Sequence, residues 1–172
     1  MVKNINIGRR GFLTYFSKAL KKSPAISAQT VRVAPRPPQA VDELLFAQLC
    51  DGCGVCQQVC PNQIIEIVDQ LAQINLGYNE CSLCAACTKA CSNGALHTTV
   101  SPHISLRPHF SYLCNNYQMI DCLQCQAGCS NSAIVIVEGE LPHIIDGRCD
   151  GCGQCQKSCP LGAISMALIA DA

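Results

Sequence analysis

The chain has 172 residues, with twelve acidic side chains, twelve basic side chains and sixteen cysteines. Cysteine at about 9 % is the level of a disulfide scaffold or a metal protein, and four Phe, four Tyr and no Trp leave a thin aliphatic core that needs such help. Residues 1–36 hold eight basic groups and no acidic one, whereas the remainder, with four basic and twelve acidic side chains, carries −8; the basic groups are too sparse for a nucleic-acid protein, and no run of about 18 apolar residues supports a membrane span.

Arg9-Arg10-Gly11-Phe12-Leu13 looks like the start of a twin-arginine export signal. Lys18, Lys21 and Lys22 interrupt the apolar stretch that should follow, and Ile26-Ser27-Ala28 is a weak match to a cleavage site. The segment reads as retained, which places the protein in the cytoplasm; export is the lesser alternative. Phe12, Phe16, Ala19 and Leu20 recur at helical spacing between lysines, which fits either a basic amphipathic helix or a flexible tail. Residues 33–40, VAPRPPQA, hold three prolines and predict an extended linker. Residues 1–43 are therefore expected to form an arm and linker.

Beyond residue 43 the chain is built from a repeat. CDGCGVCQQVCP at residues 50–61 returns as CDGCGQCQKSCP at 149–160, with nine of twelve positions identical. The cysteines form four quartets: Cys50, Cys53, Cys56, Cys60; Cys81, Cys84, Cys87, Cys91; Cys114, Cys122, Cys125, Cys129; and Cys149, Cys152, Cys155, Cys159. Three share C-x2-C-x2-C-x3-C spacing, and the third stretches its first gap to seven residues, NNYQMID. They pair into two halves, 44–104 and 110–170. Within each half, β-branched runs suggest a hairpin: 64–68 with 73–76, and 133–137 with 141–145. Short helical turns are expected just after each fourth cysteine, at Pro61-Asn62-Gln63 and Pro160-Leu161-Gly162.

C-x2-C-x2-C-x3-C-P is the ligand run of bacterial ferredoxins, in which three thiolates wrap one cubane and the fourth cysteine ligates the other cluster of the pair. Gly52, Gly54, Gly151 and Gly153 allow backbone to approach the cluster. This rule assigns Cys50, Cys53, Cys56 and Cys91 to one [4Fe-4S] cluster, and Cys81, Cys84, Cys87 and Cys60 to a second. Cys114, Cys122, Cys125 and Cys159 take a third, and Cys149, Cys152, Cys155 and Cys129 a fourth. The expected fold is α+β: two tandem bacterial-ferredoxin-like units of two clusters each, with short hairpins and short helices around the clusters, behind a basic N-terminal arm.

Zinc prefers two separated CxxC pairs in a tetrahedral site, which overlapping triplets suit poorly. A disulfide lattice is disfavoured because bridges between i and i+3 constrain little chain. The pattern departs in three places: Ser92 and Ser130 replace the expected proline, and the long gap sets Cys114 furthest from its companions. His97, His103, His109 and His143 are scattered and read as ordinary surface or packing residues. No nucleotide, flavin or phosphate motif and no catalytic triad is visible, so the chain is not expected to be an enzyme.

Four quartets with the third stretched, behind Arg9-Arg10-Gly11-Phe12-Leu13 and a proline-containing linker, resemble the NapF family, the ferredoxin-type accessory proteins of the periplasmic nitrate reductase system. The resemblance covers nearly the whole chain. It implies a cytoplasmic iron–sulfur protein that contacts the molybdenum-containing catalytic subunit before export and helps it mature, by cluster insertion or by electron supply. The sixteen cysteines are the residues carried over. A function of another class, a multi-cluster carrier passing single electrons to a redox enzyme, is the alternative.

Overall fold

The computed structural model describes residues 32–145 and 147–169. The twin-arginine-like motif and the candidate amphipathic helix lie outside the described residues.

Every element is short, in keeping with a chain whose aromatic content is low. Helix α1 (Glu43–Leu49) opens with Asp42, whose carboxylate accepts the Leu45 N–H at 3.1 Å, and it buries Phe46 completely. Two antiparallel hairpins follow the expected order: β1 (Ile65–Val68) with β2 (Leu71–Ile74), and β4 (Ile134–Val135) with β5 (His143–Ile144). The second is only two residues long on each side, because Pro142 removes a donor at its edge.

The short helices lie elsewhere than the sequence suggests. Helices α2 (Val55–Gln58), α3 (Ala86–Ala90), α4 (Gln124–Ala127) and α5 (Gln154–Ser158) sit inside the quartets, between their second or third cysteine and their fourth. Pro61 and Pro160 fall in non-helical turns after them. The correction has a simple cause. Each helix has to end for the fourth cysteine to leave toward the neighbouring quartet, and the proline that follows guards that exit.

The proline-rich stretch is also corrected: it is packed, not a free linker. Residues 36–40 are all buried. Pro35 O accepts from Ile74 N at 2.7 Å, Ala40 bridges Leu96, and Gln39 O accepts from His97 N at 2.9 Å. Inside this stretch Arg36 donates to Glu43 at 2.6 Å and lies 5.0 Å from the Phe46 ring centroid, while Arg32 reaches the same carboxylate at 3.3 Å.

The second half is closed in the same way by strand β3 (Leu106–Phe110), which pairs antiparallel with the last strand, β6 (Ile164–Leu168). In each half, then, the segment ahead of the first quartet pairs with the segment behind the second.

The two halves have separate apolar cores, one around Phe46, Ile104 and Ile74, the other around Phe110, Ile134 and Ile164, and Met166 packs against both. Backbone bonds from Ile104 N to Asp150 O (2.8 Å) and from Cys81 N to Cys152 O (2.7 Å) join the halves, with a Lys157–Glu80 ion pair at 2.6 Å beside them.

Candidate metal centres

All sixteen cysteines are unpaired thiols, and they line four cavities. Cys50, Cys53 and Cys56 share the first with Cys91. Cys81, Cys84 and Cys87 share the second with Cys60. In the other half Cys114, Cys122 and Cys125 meet Cys159, and Cys149, Cys152 and Cys155 meet Cys129. The fold thus brings the first three thiols of each quartet beside the last thiol of its neighbour, with Cys114 among them.

The cavities are small and alike, with about 30 Å³ of room in the first and about 20 Å³ in each of the other three. The stretched third quartet encloses as much room as the regular ones, so its extra residues loop outward. Among the described residues no three Cys, His, Asp or Glu side chains converge where a single metal ion could sit. Four thiols around one cavity match a polynuclear group with one thiolate per iron. All four histidines are exposed and none lines a cavity.

Backbone shape makes these cradles. Gly52 (φ +68°) and Gly151 (φ +75°) hold equivalent places in the two copies of the repeated phrase. A Cβ on Gly52 would stand 2.7 Å from Gln70 O, and one on Gly151 would fall on the carbonyl oxygens of Ile104 and Leu106. The second quartet keeps the left-handed turns without glycine, at Leu83 (φ 52°) and Ala85 (φ 58°). Side chains tolerate that region poorly, and such strain collects at functional sites. The third quartet differs: Leu123 has φ −117°, and the left-handed residue is Met119, within the long gap.

Several thiols are hard to ionise in the metal-free chain. Burial, reinforced by neighbouring cysteines, pushes Cys81 and Cys155 up to about 12, and Cys56, Cys125 and Cys152 up to about 11. Cys84, nearly exposed and bonded by the Ala86 N–H, moves down instead. Backbone N–H groups of Leu83, Ala133 and Ala163 approach the sulfurs of Cys81, Cys129 and Cys159 at 3.3–3.4 Å, where they would favour thiolate and spread the negative charge of a bound cluster.

Four supporting residues escape a reading of the sequence alone. Asp51 and Asp150 accept the N–H of Cys53 and Cys152. Asn93 hydrogen-bonds the Asp51 side chain and helps hold its pKa down, and Asn131 donates to Asp150 at 2.8 Å. The two Ser-Asn pairs that replace proline, Ser92-Asn93 and Ser130-Asn131, thus supply the asparagines that tie the crossing cysteine's segment to the quartet it joins. The recurrence of Cys-Ser-Asn opposite Cys-Asp-Gly was the available signal.

The 4Fe-4S dicluster domain family matches residues 49–98, and the 4Fe-4S binding domain family matches residues 142–165. The ferredoxin-type protein NapF of Escherichia coli K12 is 32 % identical over 94 % of this chain and 94 % of its own length. An uncharacterised protein of Haemophilus influenzae is 35 % identical over 94 % of this chain and 91 % of its own. The ferredoxin-type protein NapG of Escherichia coli K12 is 28 % identical over 90 % and 82 %. With four thiol-lined cavities of matching size, the chain is a 4Fe-4S protein.

Proposed function

Since the chain belongs to the NapF family of ferredoxin-type proteins, we propose that it is a cytoplasmic four-cluster protein that binds the molybdenum-containing catalytic subunit of a periplasmic nitrate reductase before export and assists its maturation. It has no bond-making chemistry of its own. The cluster count rests on one observation, the sorting of sixteen cysteines into four cavities of nearly equal size. In this reading the four crossed sets are the ligand sets.

Bound [4Fe-4S] clusters supply reversible one-electron chemistry. The residues around them have separate tasks. The sixteen thiolates hold iron, and apolar side chains such as Ile64, Ile74 and Phe110 keep water out of the cavities. Asp51 and Asp150 brace the tight turns. The client half of the proposal rests on family membership, a warrant by analogy. No helix among the described residues is long and apolar enough to cross a membrane.

The alternative, a multi-cluster electron carrier, is favoured by the bond between Cys81 N and Cys152 O, which makes the second and fourth quartets direct neighbours. An anaerobic pull-down with tagged full-length protein, from cells making the unexported catalytic subunit, separates the readings. Recovery of that subunit with about sixteen irons per chain supports the accessory role. Full iron without the subunit, or only a redox enzyme released by modest salt, supports the carrier. Zinc in place of iron overturns both.

A further inference from the structure

The extra residues of the third quartet have no part in lining its cavity beyond Asn115, yet they form a built loop. Buried Asn116 donates to Val137 O at 2.6 Å and to Glu140 O at 2.7 Å, pinning the loop to the turn of the β4–β5 hairpin. Within the loop, Ile120 N donates to Asn115 O, Met119 N to Asn116 O, and the Gln118 amide to Tyr112 O at 2.7 Å. The Tyr112 and Tyr117 rings meet with centroids 5.0 Å apart. Met119 has φ 62°, an unfavourable place for a side chain that the surrounding bonds enforce.

This ordered loop turns its large apolar side chains outward. Tyr112, Leu113, Tyr117, Met119, Ile120 and Leu123 are all exposed, from 41 % to 71 %, within twelve consecutive residues. Ordinary surfaces scatter such residues singly, and a gathered set marks an interaction site. The charges of the loop and of the turn to which it is pinned are all negative. Asp121 lies in the loop, Glu138 and Glu140 lie in the turn beneath it, all three exposed, and no Lys or Arg occurs between Arg107 and Arg148.

We infer that this loop is the docking face for the client protein, and that the matching face of the client is apolar and edged with Lys or Arg. The inference rests on the accessory reading above and adds the surface. An apolar centre inside a ring of charge is the usual anatomy of a specific interface, with aromatic residues at the centre carrying most of the affinity. The acidic edge sets orientation and association rate. Docking here places the client beside the cavity that Cys114 and Cys122 line.

The test uses full-length, iron-loaded protein and the purified unexported catalytic subunit under anaerobic conditions. Met119→Glu combined with Ile120→Glu is expected to weaken binding about tenfold or more, with iron per chain unchanged. A photo-crosslinking residue at Tyr117 is expected to capture the subunit, whereas one at Tyr78, 91 % exposed on the other half, is not. If the double variant loses iron, the two crosslinking positions decide alone. Undiminished binding by an iron-replete double variant, or capture from Tyr78 and not Tyr117, overturns the docking face and leaves the accessory reading standing. Capture of a second copy of this chain in preference to the subunit also overturns it, and an unaltered protein that binds no subunit overturns both.

Discussion

Gly151 lies beneath the carbonyls of Ile104 and Leu106 at φ +75°, in the strip of backbone that joins the halves. Gly151→Ala adds a methyl where two carbonyl oxygens already are. It is expected to weaken that region by about 3 kcal/mol, seen as faster bleaching of the iron–sulfur absorbance on warming. Gly54→Ala is the control. Its added Cβ meets only the Gln57 amide oxygen at 3.8 Å, and Ala85 holds the equivalent place in the second quartet, so its cost is about 1 kcal/mol from φ alone. The thiols set a pH dependence. Cys81 and Cys155, pushed up to about 12, and Cys56, Cys125 and Cys152, pushed up to about 11, are protonated in the metal-free chain at neutral pH. Iron displaces those protons, so its affinity rises with pH and falls in acid. Chelator competition between pH 6 and 9 is expected to show about a tenfold gain per pH unit for each such thiol displaced.

At the scale of elements, the two closures show what a single sequence hides. Strand β3 contains Pro108, and its partner β6 lies 54 or more residues onward. A proline-bearing run of five residues shows its strand character only through that partner. Residues 33–40 were harder still: three prolines read as linker, while the fold buries residues 36–40 in a closing segment held by Arg36 and Glu43. The hairpins were legible because their β-branched runs lie next to each other. The short helices were displaced because four or five residues carry no helical period to read. Glu43 is the anion that Arg32 and Arg36 share. Glu43→Gln is expected to cost about 3 kcal/mol, the scale of a broken buried pair. Trypsin then cleaves the Arg32–Val33 bond faster, by about a hundredfold where local opening limits the rate.

Across the whole molecule the cysteine crossing is the feature most open to sequence reading, because ligand number and spacing are fixed by the shape of the group they surround. What spacing lacks is the contact between halves, Cys81 N to Cys152 O, since nothing repeated marks it. The crossing itself has a quantitative test. Cys159→Ser empties the cavity of Cys114, Cys122 and Cys125 and is expected to lower the iron count by about four per chain. Adding Cys114→Ser removes no more, because both serve one cavity. Adding Cys129→Ser instead removes about four further irons, whereas ligation within each quartet would make both pairs additive, the Cys114 pair included.

The crossing also imposes a schedule on synthesis. The second cavity has its full set of thiols once Cys87 has been made, and the first once Cys91 follows; the fourth waits for Cys155 and the third for Cys159. Cys114 is thus made 45 residues before its last companion, about 2 to 9 s at ordinary elongation rates. For that interval the third quartet is the set of sulfurs left longest without its complement. Oxygen reaching a translating cell should scar that quartet before the other three.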